Sequence, residues 1–271
     1  MKLILQRQHY LSPTLTSGVL KMENKNQKIS TRNMRINNPV ILKIYDFLLA
    51  SYGPQGWWPL IELHETGGTN PTKTGSIRGY HPGDYTYPQT EIQQFEMICG
   101  ALLTQNTGWP QVEKALLNLK YLNVLSPKKI ISLDSETLKE AIKPAGYYNQ
   151  KAERLKTLAV WFSNLKGRNL TREELLSLKG VGPETADSIL LYAFKQPSFV
   201  VDAYTRRIVT NLGLKGEKAK YDEIKALFEE NLPKDLSLYQ EYHALLVEHA
   251  KRYYKKNGNF AECPLLELAR N

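Results

Sequence analysis

The stretch "LLSLKGVGPETADSILLYAF", residues 175–194, constrains the fold more than any other part of the chain. A leucine-rich helix ends near Leu178. Gly180 and Gly182 are expected to adopt backbone conformations that a Cβ would oppose. Val181 between them can anchor the turn in a core. Pro183 lacks an amide hydrogen and suits the first position of a second helix. The turn then presents bare N–H groups beside a helix N-terminus, which is an anion site. Such a site, with Lys179 at its edge, holds a phosphate without reading bases. The plainer alternative is an ordinary helix–turn–helix connection.

Helical periodicity surrounds this turn. Helices are expected near 91–105, 110–121, 135–142, 149–165, 171–178, 183–195, 203–212, 219–231 and 237–256. A further helix starts at "NNPVILKIYDFLLASYG", with Asn38 as cap and Pro39 in its first turn. "VLSPKKI", "KPAGYYN" and "NLGLKGEK" read as breakers. Only "SFVV" looks extended, and it is too short for a sheet. The fold class is therefore all-α, with no internal repeat. Residues 64–90 hold five Gly, three Pro and three Tyr without an apolar period, and read as an irregular loop. Residues 1–35 read as a disordered basic tail, and Met22 and Met34 leave a later start open.

The chain carries a net charge of +9 with a pI near 9.3 over 271 residues, which suits an anionic partner. Much of that charge sits in the tail. Over residues 1–33, Lys2, Arg7, Lys21, Lys25, Lys28 and Arg32 against Glu23 place +5 and leave +4 for the rest of the chain. The two cysteines, Cys99 and Cys263, have no neighbours at metal-ligand spacing and imply no disulfide framework. A reducing cytoplasm is the default. No apolar run approaches the ~18 residues of a membrane span, so no membrane partner is expected.

A second motif follows the hairpin helix. In "SFVVDAYTRRIVTNLGL" an apolar run meets Asp202, which stands where an N-cap belongs. Capping alone would account for it. A capping carboxylate is also kept ionised by the amides it accepts from and by the helix dipole. That is useful wherever positive charge develops on a sugar.

Helix–hairpin–helix, then an extended run, then "VVDAYTRR" resembles the endonuclease III-like superfamily of DNA glycosylases. "ALLTQNTGW" resembles the family helix whose Gln, here Gln105 beside Asn106, fills the gap left by an extruded base. "GYYNQKAERL" resembles a further family motif, and the four motifs in order span about 85–210. The resemblance implies two helical lobes around a central cleft. One lobe is a bundle over 86–196 with the hairpin. The other joins 36–63 to 197–271 and carries Asp202. It implies double-stranded DNA with a damaged base as partner, and a monomer associated with the nucleoid.

Two departures alter the implied chemistry. Bifunctional members place a lysine two residues past the second glycine, where its amine forms a Schiff base. This chain has Glu184, which cannot, and Lys179 and Lys195 are expected to point elsewhere. The alternative role for Glu184 is a first-turn acid favoured by the dipole. Many members also end with four cysteines for an iron–sulfur cluster. Here only Cys263 remains, so no cluster and no metal are expected, and the helix over 237–256 must close that end.

Both losses, with "GWWPL" and "LTQNTGW", look most like the monofunctional 3-methyladenine branch. That branch implies an aromatic base pocket from Trp57, Trp58 and Trp109, with one of Trp57 and Trp58 packed in the core. Two tryptophans across a slot can stack a cationic alkylated purine. No histidine lies in these motifs, consistent with a base that needs no strong general acid. A C-terminal lysine approaches the pocket in that branch, and Lys251 and Lys255 are candidates. The alternatives are a glycosylase for oxidised, deaminated or mismatched bases, a residual lyase using another amine, and a non-catalytic DNA-binding module. Asp202 argues against the last, since a binding module has no use for a carboxylate facing phosphates.

Overall fold

The computed structural model describes residues 39–73, 76–165, 167–168, 170–254 and 260–270. The tail read over 1–35, with its starts at Met22 and Met34, the cap expected at Asn38, and Lys255 all lie outside the described residues. Helices follow in the order α1 (Pro39–Tyr52), α2 (Glu91–Leu103), α3 (Trp109–Tyr121), α4 (Pro127–Ser132), α5 (Ser135–Ile142) and α6 (Tyr148–Leu165). Then come α7 (Arg172–Ser177), α8 (Pro183–Ser188), α9 (Ala203–Asn211), α10 (Tyr221–Glu229), α11 (Leu236–Tyr253) and α12 (Leu265–Arg270). Among the described residues there is no strand, and a single antiparallel bridge joins Gly68 to Tyr80. The all-α expectation holds.

Capping residues set many of the starts. Thr90, Asp134, Thr171, Asp202 and Asp235 each accept a hydrogen bond from the backbone amide three residues on. α2 is buried along most of its length, with Phe95, Ile98 and Leu102 fully enclosed. It packs against α3, α6 and the end of the hairpin helix, while α11 packs against α1 and α9.

Three differences from the sequence reading have physical causes. "VLSPKKI" was expected to break the chain but contains α4, which begins at Pro127 and buries Ile130. Proline starts a helix as readily as it stops one, and one turn shows no period. α12 was missed for the same shortness. The helix expected over 183–195 is α only to Ser188, and then a π-helical turn spans Ile189–Ala193. All five residues of that turn are buried. An α-helical stripe would leave part of such a run facing solvent, and the wider turn meets α2, α8 and α11 at once.

Polar groups join the elements that the apolar core leaves unregistered. Asp187 of α8 has no exposed surface and receives Arg172 Nε at 2.8 Å, Arg172 Nη2 at 3.0 Å and Ser198 Oγ at 2.6 Å. Lys225 of α10 lies 3.5 Å from the same carboxylate. Lys151 of α6 is 1% exposed, and its ammonium lies 2.8–2.9 Å from the carbonyls of Leu103, Gln105 and Ala145 and from Thr107 Oγ1. It thus gathers the C-terminal end of α2, the 104–107 turn and the 143–145 turn around one charge. Lys151→Met keeps the stem and abandons those acceptors inside the protein. Denaturant unfolding should show a loss of about 2–4 kcal/mol, the range for several buried acceptors left unpaired. A loss below ~1 kcal/mol would mean that these carbonyls find other donors.

Candidate active site

Asp202 caps α9 as expected, with Oδ1 accepting from Thr205 N at 2.7 Å. Its Oδ2 faces His243 Nε2 at 3.9 Å, and 15% of its side chain remains exposed. Glu184 stands in the first turn of α8. As a whole residue it is exposed. Crowding by surrounding protein, then the negative charge of Asp202, nevertheless pushes its carboxyl up to about 7. Water at the exposed face screens part of both effects. The two carboxylates are close enough to feel one another, and Glu184 resists ionising.

Three tryptophans stand nearby. Trp58 is buried, and a Cβ built on Gly100 of α2 would come within 2.9 Å of its indole nitrogen. It is the core member of the pair. Trp57 and Trp109 are half-buried and stand at 78° and 82° to Trp58, with ring centroids 6.2 and 5.3 Å from it. They rise like walls from a floor. So Trp58 is not a second face of a slot, as the sequence allowed; it is the ring that Trp57 and Trp109 both meet edge-on. Tyr192, in the π-helical turn, meets the Trp58 ring at 5.1 Å.

The tryptophan segment is braced from two sides. Glu241 of α11 accepts from Gln55 N at 2.6 Å and from Tyr85 Oη at 2.9 Å. His81 Nε2 is hydrogen-bonded with the Trp58 carbonyl at 3.0 Å. Gly56 has φ +69°, and a Cβ there would lie 2.2 Å from Pro82 N. The 64–90 region, read as an irregular loop, is therefore the buttress that sets the Trp57–Trp58 backbone.

The hairpin residues and Gln105 come together. Gln105 Nε2 donates to Gly180 O at 2.9 Å and to Thr185 Oγ1 at 3.0 Å, and Arg154 Nη1 donates to Gln105 Oε1 at 3.0 Å. Gly180 has φ +87°, and a Cβ there would strike Arg154 Nε at 2.3 Å. Val181 is buried, as expected. Gly182 corrects the reading: its backbone is extended at φ −93°, and a Cβ would meet nothing within 4 Å. No Cβ is opposed there, and the turn stays open on that side. Lys179 and Asn106 are both exposed; Lys179 lines a hollow together with Arg154, and Asn106 has a backbone φ of +53°. Lys195 turns away to donate to the Thr86 carbonyl. Lys251 Nζ lies 3.7 Å from Glu248 Oε2.

A histidine enters the site after all. His243 of α11 is buried, and Nδ1 lies 2.7 Å from Tyr192 Oη. It stands edge-on to Trp57 at 5.6 Å. In the sequence it is one more buried position of an amphipathic helix, about forty residues beyond Asp202, and nothing local marks it. Cys263 is buried near the C-terminus, with His249 Nε2 at 3.2 Å and Tyr254 Oη at 3.4 Å.

Residues 99–234 match the family described as HhH-GPD superfamily base excision DNA repair protein. The chain is 45% identical over 240 residues to the Methanocaldococcus jannaschii protein named "Putative DNA repair glycosylase MJ1434", covering 84% of this chain and 95% of that one. The chain belongs to the HhH-GPD superfamily. Endonuclease III of Thermotoga maritima is 30% identical over 174 residues, 64% of this chain and 80% of its own. The Helicobacter pylori 3-methyladenine DNA glycosylase MagIII, solved with 1,N6-ethenoadenine, matches at TM-score 0.58 and 29% identity, over 78% of this chain and 97% of that one. As an HhH-GPD protein the chain is a base excision repair DNA glycosylase and DNA is its partner.

The raised Glu184 carboxyl makes stability fall with pH. A carboxyl whose folded value lies above its unfolded value binds its proton more tightly when folded, so stability is lost as pH rises from about 4.5 through about 7. Glu184→Gln removes that loss. Thermal melts should place the variant above wild type at pH 8 and level with it near pH 4. Equal melting temperatures at pH 8 would mean that Glu184 is not crowded against Asp202.

Proposed function

We propose that this HhH-GPD protein is a monofunctional DNA glycosylase that hydrolyses the N-glycosidic bond of damaged purines, with cationic alkylated bases such as 3-methyladenine preferred. One observation carries the reading. Glu184 occupies the position from which lyase members offer an amine, and its neighbour in the crevice is Asp202, not a lysine. A carboxylate cannot form an imine with the sugar, so water must be the nucleophile.

The surroundings suit that chemistry. Trp57 and Trp109 can stack an extruded base, and their ring faces favour a cationic one. An alkylated base leaves as a neutral molecule, which relieves the need for a general acid. The sugar then carries oxocarbenium character, and Asp202 places a negative charge beside it. The likeness to a 3-methyladenine glycosylase supports this substrate class. The likeness to endonuclease III supports an oxidised base as the competing one.

We also propose that no iron–sulfur cluster is held. The whole chain has two cysteines, and Cys99 lies in the α2 core. Cys263 already packs against His249 and Tyr254. Four thiolates cannot be assembled from this set.

Asp202→Asn keeps the shape and removes the charge. We expect intact folding and DNA binding, with single-turnover excision of 3-methyladenine lowered at least ~100-fold. Borohydride should trap no adduct between the wild type and abasic DNA. A clear adduct refutes the monofunctional reading. Faster removal of thymine glycol or hypoxanthine than of 3-methyladenine from the same duplex moves the substrate to the neutral lesions.

A further inference from the structure

His243 has a nitrogen with nothing to bind. Its Nε2 is enclosed and without a hydrogen-bond partner, although the residue is only 4% exposed. Buried polar atoms rarely go unpaired, and an orphan beside a crevice calls for a ligand or a water. Two further orphan donors lie in the aromatic cluster that reaches His243 through Tyr192, the indole N–H groups of Trp58 and Trp109. Of the three, only His243 Nε2 also faces the carboxylate of Asp202, at 3.9 Å.

The hydrogen-bond network assigns the tautomer. Tyr192 has one hydroxyl proton and two acceptors, His243 Nδ1 at 2.7 Å and the Gln240 carbonyl at 3.2 Å. The carboxylate of Asp202 decides between them: it favours the ring hydrogen on Nε2, so the tyrosine proton goes to Nδ1. Nδ1 is then the acceptor and Nε2 carries the ring hydrogen. The opposite tautomer would set a lone pair against the negative charge of Asp202. Burial holds the imidazole below its usual pKa despite that carboxylate, so the ring is neutral near pH 7. The gap is too wide for a direct hydrogen bond, and once a small movement of the site uncovers Nε2, one oxygen roughly 2.8 Å from each atom can bind both.

We propose that His243 Nε2–H and Asp202 Oδ2 together hold the water that attacks the sugar, with Tyr192 fixing the histidine as the donor. This rests on the monofunctional reading, since a lyase would need no such water. The water oxygen accepts from Nε2–H and donates to Oδ2. It forms a bond to the anomeric carbon as the glycosidic bond breaks, and the bonding pair leaves with the base, neutralising the cation. The water proton passes to Asp202 and then to solvent. His243 keeps its own proton throughout and acts as a positioning residue.

The test compares single-turnover excision of 3-methyladenine with affinity for a duplex carrying an abasic-site analogue. His243→Phe fills the space and removes the donor. Excision should fall at least 10-fold while affinity and melting temperature hold. His243→Gln returns an N–H donor at a similar reach and should recover part of the rate. If both partners serve one water, the Asp202→Asn/His243→Phe double variant should be no slower than Asp202→Asn alone. Tyr192→Phe offers a second entry if His243→Phe does not fold, and it should slow excision several-fold. A wild-type rate in His243→Phe, or in Tyr192→Phe where that is the variant that folds, overturns the proposal, as does a double variant slower by the full product of the singles. These outcomes are separable from failure of the parent reading, which would appear as a borohydride adduct in the wild type.

Discussion

A carboxylate buried in the middle of α11 organises the site. Glu241 is 2% exposed, and burial pushes it up to about 7 against the pull of the amides and the tyrosine it accepts from. Charge-assisted hydrogen bonds of this kind contribute roughly 1.5–3 kcal/mol each. What they fix is a position. Gln55 N and Tyr85 Oη bind its two oxygens, so the segment before Trp57 and the end of the 64–90 region are pinned to one helix. Two residues further along that helix, His243 faces Asp202. The tryptophan floor and the histidine therefore share one rigid support, and a shift of α11 would move both. Packing of α11 against α1 and α9 makes such a shift costly.

The hairpin shows the same economy of partners. Gln105, Gly180, Thr185 and Arg154 form one closed set of hydrogen bonds. On the proposed reading Gln105 enters the gap left by an extruded base. To do so it must exchange the Gly180 and Thr185 contacts for contacts with DNA, each worth about 0.5–1.5 kcal/mol net. The hairpin that would receive a phosphate on that reading is also the hairpin that holds Gln105, so phosphate contact and release of the glutamine would be linked through the same backbone. Arg154 is held close by the absence of a side chain at Gly180, where even one carbon would strike it. Gly182, with free space around it, keeps the other side of the turn accessible.

The helices, the hairpin and the cap at Asp202 were legible in the sequence because each rests on local rules: a 3.6-residue period, a glycine at positive φ, a carboxylate three residues before an amide. The tryptophans were legible as a group, yet their order was not. Which of Trp57 and Trp58 is the floor depends on Gly100, more than forty residues away. The buttress role of residues 64–90 escaped for a similar reason. It consists of single long-range contacts, such as Leu60 N to Gly79 O at 2.9 Å, that leave no period. His243, Tyr192 and Glu241 escaped because each looks like an ordinary position of an amphipathic helix. Their chemistry comes from burial and mutual aim, which only tertiary structure supplies. The π-helical turn that delivers Tyr192 was read as plain helix because five consecutive apolar residues carry no period of their own.

The exchange of a lysine for Glu184 changes more than one reaction path. A lysine beside Asp202 would neutralise it and compete for its oxygens. A carboxyl there adds negative charge, and two adjacent carboxylates cannot both ionise freely. Burial and the charge of Asp202 push the Glu184 carboxyl up to about 7, so the pair carries less negative charge at neutral pH than two free carboxylates would. On the proposed reading that charge stands beside the cation that develops on the sugar and the cationic base. An anionic crevice on a DNA-binding surface would ordinarily weaken binding to phosphates. On the proposed reading the uncharged amides of the hairpin grip the backbone while the carboxylates supply negative charge to the sugar, so binding and chemistry are divided and a body of modest net charge can serve both.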